Sequence, residues 1–436
     1  MKRFRCVTFG CRVNQYETQA VREQLLSRGY QEVSEGSPMD FLVINSCTVT
    51  EAADRECITT LQAFHRAHPH AQIVLTGCLV QRDSELLKTL PGVRLLVGTN
   101  QKHRIAQLIE TLEPWKTEPR VEIELGKVYG PLRISTFAER SKAFVKVQDG
   151  CDRVCAFCKI PYVRGPSRSR PLADLLDEVK RLVNHGFQEI VFTGVALGLW
   201  GREWDPQSSL ADLIHAANHL PGHFRFRLSS LDPRDLDDRL IDALRFSQRL
   251  CHHLHLSLQS GSDSVLNRMN RGYTASWYRE QVNKIRGFWP DLGLTTDLIV
   301  GFPGETQQQF DESTEFCRGL SFAKVHVFPY SRRRGTSAWF FKDQVEPSVI
   351  KLRAKIMRQV TAEVAARFQR RFVGTTQEVL LEEGELGYTG QFLKVHLINA
   401  PPPPAVGHLA SVRLVRMTSQ GLMGEVINFS GDTLDN

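Results

Sequence analysis

The sequence contains no apolar run long enough to cross a bilayer, and its start, MKRFRCVTFG, lacks the pattern of a secretory signal. The expectation from these two absences is a cytoplasmic protein with no membrane association. Without an oxidising address, the ten cysteines point away from structural disulfides and toward metal or catalytic sulfur. Long-period repeats are absent, and Pro401–Pro404 is the only low-complexity tract. A third absence is local. The stretch GCDRVCAFCKIP places Cys151, Cys155 and Cys158 at gaps of four and three, with no fourth cysteine or histidine close by. A structural zinc site wants four ligands, usually in two pairs. Three thiolates around a cubane iron–sulfur cluster instead leave one iron free to bind something else.

At 436 residues the chain is too long for one core of usual size, and its 42% hydrophobic and 24% charged content is that of a globular protein. The net charge of +7 is unevenly placed. From Phe372 onward there are three Lys/Arg against seven Asp/Glu, a net of −4, so the preceding 371 residues carry +11. A basic body favours a polyanionic partner.

Three blocks follow from patterning. Residues 1–112 alternate strand-like segments (RFRCVTF, DFLVINS, AQIVLTG, VRLLVGT) with helical ones, which predicts a parallel α/β sheet. Residues 113–142 lose periodicity, carry Pro114, Pro119 and Pro131, and read as a linker. Residues 143–371 repeat six strand–helix steps, the pattern of a barrel or three-quarter barrel with its site at the strands' C-terminal ends, and close with a basic helix from about Ser348. Residues 372–436 are short strands between Gly- and Pro-rich turns, predicting a small antiparallel β-barrel. The fold class is thus α/β, multidomain.

A second set of cysteines is spread out. Cys11 follows VTFG, Cys47 follows VINS and Cys78 follows VLTG, each just past a predicted strand. In a parallel sheet those turns share one edge, where such sheets bind ligands, so three cysteines distant in sequence are expected to converge. Cys6, Cys57, Cys251 and Cys317 lack this placement and read as small buried hydrophobes.

The segment from Gly150 to Ser169, with CxxxCxxC and the aromatic Phe157 before its last cysteine, resembles the radical S-adenosylmethionine (SAM) superfamily. Adding GCRVNQYET, INSCTVT, TGC, LSLQSGSDSVLNRMNRGYT, DLIVGFPGET and FPYSRRRGTSA, nearly the whole chain resembles the methylthiotransferase family. The resemblance implies an N-terminal methylthiotransferase domain, a partial (β/α)6 radical SAM barrel and a C-terminal TRAM domain. It implies two [4Fe–4S] clusters: Cys151, Cys155 and Cys158 hold the one that binds and reductively cleaves SAM, and Cys11, Cys47 and Cys78 hold an auxiliary cluster that supplies sulfur. It further implies SAM as methyl donor and radical source, a tRNA anticodon stem-loop as partner, and a flavodoxin- or ferredoxin-like electron donor. CRVNQYET and GYTGQFLKV resemble most the members acting on threonylcarbamoyladenosine at tRNA position 37. Members acting on isopentenyladenosine, or on an aspartate of a ribosomal protein, remain alternatives, the latter because the tail is acidic. A non-catalytic RNA-binding protein with structural zinc is the alternative of another class.

Further candidates end barrel strands. Thr193 and Gly194 in FTGVALG, Ser229 and Ser230 in LSSLDP, Gln259, and Val300 and Gly301 in VGFPGE are expected to contact SAM, together with Phe157. Taken singly, ordinary turn chemistry is an equal account of each. Ser260 ends a strand beside Gln259, and Asp297 lies in an apolar strand, where a buried carboxylate needs a partner. Arg164, Arg168 and Arg170 in RGPSRSR, and Arg332, Arg333 and Arg334 in SRRRGTS, are expected to hold tRNA phosphates, or else to form a solvated surface. His252, His253 and His255 straddle a strand start, where alternation argues against a shared metal.

Overall fold

A computed structural model of the chain describes residues 1–113, 118–137, 141–205, 207–398 and 406–429. Pro114 and the proline run Pro401–Pro404 lie outside the described residues. The first block is a six-stranded sheet built from β1 (Arg3–Thr8), β2 (Gln31–Glu32), β3 (Phe41–Ser46), β4 (Gln72–Gly77), β5 (Val93–Val97) and β6 (Arg120–Glu122), in the order β2-β1-β3-β4-β5-β6. Every neighbouring pair is parallel. Parallel strands are buried on both faces, so they read as continuous apolar runs; FLVINS in β3 is buried at all six positions. Val43 and Val74 enter the core beneath α1 (Arg12–Ser27), while Ile44 and Leu75 enter the core beneath α2 (Glu51–Ala67) and α3 (Cys78–Lys88).

The expected linker is structured where it is described. Its residues 120–122 form β6, and Leu132, Ile134 and Phe137 are buried in the core of the next block. Pro119 and Pro131 broke the periodicity without preventing packing of the described residues, because isolated apolar residues suffice to anchor an extended segment. Helix α4 (Ile105–Glu110) precedes it.

The second block has β7 (Ala143–Asp149), β8 (Arg168–Ser169), β9 (Glu189–Gly194), β10 (Arg225–Leu228), β11 (Ser230–Leu231), β12 (His253–Leu256), β13 (Gly293–Val300) and β14 (Lys324–Pro329). Five parallel pairings join six strand positions in the order β7-β9-β10/β11-β12-β13-β14, and β8 adds an antiparallel edge to β7. The chain changes partner at Ser229: β10 pairs with β9, β11 with β12. The short helix α5 (Ile160–Arg164) follows the cysteine run, and a 24-residue helix, Pro347–Arg370, leads out of the barrel.

The third block is a closed five-stranded barrel of β15 (Thr376–Glu382), β16 (Leu386–Thr389), β17 (Lys394–Leu397), β18 (Leu409–Thr418) and β19 (Gly421–Phe429). It is not wholly antiparallel, since β17 and β19 pair parallel. This barrel docks on the N-terminal ends of the larger barrel's strands. Arg225 and Arg227 of β10 share the buried Glu189 and donate to the carbonyls of Tyr388, Thr389 and Gly390 at 2.9–3.0 Å. Phe392 follows in the left-handed region, φ 64. Among the described residues no helix is long and apolar enough to cross a membrane.

Candidate active site

Cys11 caps α1, Cys47 follows β3, and Cys78 opens α3, all at the C-terminal edge of the first sheet. The three line one cavity of about 600 Å³. Its other wall comes from the barrel: Thr193, Gly194, Ser229 and Ser230 at strand ends, with His253, His255, Thr295, Asp297 and His326 on inward-facing positions. Two glycines make the first wall possible. Gly10 sits at φ +98, and a Cβ there would meet Cys47 Cβ at 2.5 Å and Sγ at 2.6 Å; Gly77, at φ +103, lies against the Ser46 backbone.

Cys151, Cys155 and Cys158 line a second cavity of about 170 Å³ with Phe157, Asp232, Gln259 and Arg271. The two cavities share Ile160, Val195 and Ser230 in their walls, so they are adjacent. Each of these sulfurs faces one N–H donor: Cys151 accepts from the Arg153 amide at 3.4 Å, Cys158 from the Ile160 amide at 3.5 Å, and Cys155 from the Arg271 guanidinium at 3.2 Å. Arg271 is held in turn by Asp232 at 2.9 Å. Gln259 adopts a positive φ of 73.

Behind the first set lies a buried ionic cluster. Arg164, the last residue of α5, donates to Cys78 Sγ at 3.3 Å, to Glu17 Oε1 and Asp149 Oδ1 at 2.9 Å each, and to Asn14 Oδ1 at 2.7 Å. Lys102 also pairs with Glu17, and Lys146 bridges Glu17 and Asp149 at 2.6 and 2.7 Å. Arg168 adds a contact to Asp149 at 3.2 Å. Burial works to raise Glu17, but Arg164, Lys102 and Lys146 outweigh it and hold its carboxyl well below the usual range. Four cations thus face two carboxylates, and the excess positive charge abuts Cys78.

Burial pushes the thiols of Cys47 and Cys158 up to about 12 and raises those of Cys78 and Cys151, in Cys78 against the pull of Arg164 and Lys102. Such thiols ionise when a metal group compensates the charge. Among the described residues no three His, Cys, Asp or Glu side chains form a single-ion site. The donor sets do fit an iron–sulfur cluster: three soft sulfur ligands on one wall, N–H donors on the sulfurs, and a cationic surround for an anionic group.

Several expectations need correction. Arg164, Arg168 and Arg170 are buried, and so is Arg333, so none of the four is available to phosphate. Arg164 and Arg168 belong to the ionic cluster; Arg170 pairs with Glu178 at 2.8 Å; Arg333 donates to Thr48 and faces Asp54. Arginine counted as loop charge in a sequence is here the partner of buried carboxylates from other elements. Arg332 and Arg334 are exposed, the former stacked over Trp339 at 4.5 Å. Val300 and Gly301 line neither cavity. Val300 is buried in the barrel core, and Gly301 packs on Ile350 with its amide bound to Glu305. Ser260 is buried against Ser313 at 3.1 Å.

The sequence reading missed Arg12, Glu17, Lys102, Lys146, Asp149, Arg271 and Phe392. For Arg12 the signal was its place directly after Cys11. For the buried cluster no short-range signal exists, because its members lie in five segments. His253 and His255 do share a face, both touching Thr295 Oγ1 at 2.9 and 3.0 Å, as positions two apart on a strand must; His252 faces away to Asp291. Asp297 lines the cavity and faces His255 Nε2 at 3.2 Å.

Comparison with known proteins places the geometry in a family. Residues 3–98 match the family described as "Uncharacterized protein family UPF0004", and residues 145–317 match the radical SAM superfamily. The chain is 39% identical over 429 residues to a Chlamydia pneumoniae protein named threonylcarbamoyladenosine tRNA methylthiotransferase MtaB, covering 97% of this chain and 98% of that one. It is 36% identical to the protein of that name from Thermotoga maritima, covering 97% and 96%. A Geobacillus kaustophilus protein named tRNA-2-methylthio-N(6)-dimethylallyladenosine synthase is 33% identical, covering 98% and 82%. Among solved structures, the radical SAM methyltransferase TsrM from Kitasatospora setae shares the fold, with a TM-score of 0.55 at 13% identity over 84% of this chain and 89% of that one. The chain belongs to the methylthiotransferase family of radical SAM enzymes.

Proposed function

We propose that this enzyme methylthiolates carbon 2 of N6-threonylcarbamoyladenosine at position 37 of tRNA. In this reading Cys151, Cys155 and Cys158 hold the [4Fe–4S] cluster that binds SAM, and Cys11, Cys47 and Cys78 hold a second one. When bound, these groups supply the electron for cleaving the SAM sulfonium and the sulfur for the product. The C2–H bond is neither acidic nor polarised, so acid–base side chains alone have little purchase on it.

The single observation that carries the reading is the shared wall: one cavity bounded by Cys11, Cys47 and Cys78 adjoins another bounded by Cys151, Cys155 and Cys158. A base seated in the larger cavity lies within reach of both chemistries. The chain's own part is positioning. Arg271 and the amides of Arg153 and Ile160 orient the second set of sulfurs, while Thr193, Gly194 and Ser229 offer hydroxyls and backbone to the larger cavity and Ser230 to both.

In this reading the working units are residues 1–112, 143–371 and 372–436. The exposed Arg332 and Arg334 contact the stem-loop backbone, and a flavodoxin- or ferredoxin-like protein supplies electrons. The choice of substrate is supported by the names of the relatives that the chain resembles over 97% of its length. The test offers the reconstituted enzyme three substrates: tRNA bearing threonylcarbamoyladenosine, tRNA bearing isopentenyladenosine, and a ribosomal-protein peptide containing the target aspartate. Nucleoside and peptide mass spectrometry should find the methylthio group on the first. Modification of either other substrate alone overturns the assignment.

A further inference from the structure

The larger cavity has two arginines in its wall. One, Arg164, is saturated by Glu17, Asp149 and Asn14. The guanidinium of the other, Arg12, makes no hydrogen bond or ion pair with any described residue. Its guanidinium lies 5.9 Å from the Phe144 ring centroid and 5.8 Å from that of Phe392. Of the charges beside it, Arg227 repels it, and Glu189, which attracts it from beyond hydrogen-bond distance, is already committed to Arg227 and Arg225. Burial and Arg227 hold the imidazole of His253 neutral, and burial and Lys324 lower that of His326. A half-buried guanidinium that has lost part of its hydration and gained no anion is an incomplete site, because its fork of donors is built for a carboxylate or phosphate.

Resting on the substrate reading above, we propose that Arg12 binds the carboxylate of the threonylcarbamoyl group and selects that base over one with an apolar N6 substituent. The N6 substituent and C2 flank N1 on the same purine ring, so a clamp on the substituent's carboxylate fixes C2. Arg12 adjoins Cys11 in sequence, which sets the clamp beside the first cysteine set. The two phenyl faces restrict the guanidinium without satisfying its donors. Arriving carboxylate accepts two charge-assisted bonds; an alkyl group leaves the cation desolvated and unpaired, so selection works by exclusion as well as attraction.

The test measures equilibrium binding of the reconstituted full chain, without SAM, to anticodon stem-loop RNA. The RNA carries threonylcarbamoyladenosine, its carboxyl methyl ester, or unmodified adenosine, and phosphate contacts cancel in the ratios. For the native protein, esterification should weaken binding by at least ~30-fold, the usual scale for removing one partner of a buried charge pair. Arg12→Gln should bind the acid and the ester alike. Arg12→Lys, which keeps the charge without the fork, should show an intermediate penalty and decides the matter if Arg12→Gln does not load iron normally. An undiminished ester penalty in the variants overturns the role of Arg12 and leaves the substrate reading standing. Equal binding of modified and unmodified stem-loops by the native protein overturns both.

Discussion

Arg164 Nε donates to Cys78 Sγ at 3.3 Å, and Arg164 ends the five-residue helix that begins two residues after Cys158. One short helix therefore ties the two cysteine sets together. The tie is charge-assisted at its far end, where Glu17 and Asp149 hold the guanidinium. Arg164→Met should cost about 3 kcal/mol, because two buried carboxylates lose a partner, and should lower the iron held at the first set. Calorimetry and iron analysis check both; unchanged stability would refute the tie.

Changing Cys151, Cys155 and Cys158 together to Ala should remove about half of the iron from the reconstituted protein, since each cubane carries four. Formation of 5′-deoxyadenosine should cease. Cys47→Ala should spare that cleavage and stop sulfur insertion. Full methylthiolation by Cys47→Ala would sink the assignment of the first set.

Gly10→Ala should act like a cysteine variant at a distance. The added methyl meets Cys47 within 2.6 Å, in a backbone conformation that disfavours any side chain. The expected result is loss of the N-terminal iron with SAM cleavage intact, read by Mössbauer spectroscopy and product assay.

Stem-loop binding should weaken steeply with salt. Neutralising Arg332 and Arg334 should flatten the slope by up to ~2 phosphate equivalents. Arg333→Gln should leave the slope alone and lower the melting temperature instead, because Arg333 is buried against Thr48 and Asp54. Most of the salt dependence should survive deletion of residues 372–436, whose net charge is −4.

Glu189 couples acid sensitivity to docking of the small barrel. Burial works to raise its carboxyl, but Arg227 and Arg225 outweigh it and hold it below the ordinary range. A depressed folded-state value means that the stabilisation is complete above the unfolded value of about 4.3 and shrinks as pH falls from there toward the folded one. Glu189→Gln should therefore be less stable than the native protein at pH 7, and the gap should narrow below about pH 4.3. A gap that is constant with pH, measured by chemical denaturation, would contradict this.

The sequence by itself carried the information that is local. Strand–helix alternation gave the two α/β blocks, CxxxCxxC gave one donor set, and the recurrence of cysteine just past β1, β3 and β4 gave the other, because parallel topology sends those turns to one edge. Short elements such as β6, β8 and β16 escaped it, since two to four residues carry no periodicity. The linker was misread because its anchoring residues, Leu132, Ile134 and Phe137, are spaced irregularly. Charge was the deeper difficulty. Arg164 and Arg334 look alike in a sequence, yet one is buried among carboxylates from other segments and the other is in solvent. Which arginine is neutralised, and which, like Arg12, is left waiting for an anion, depends on groups far apart along the chain. Only tertiary packing brings those groups within the few ångströms over which a charge finds its partner.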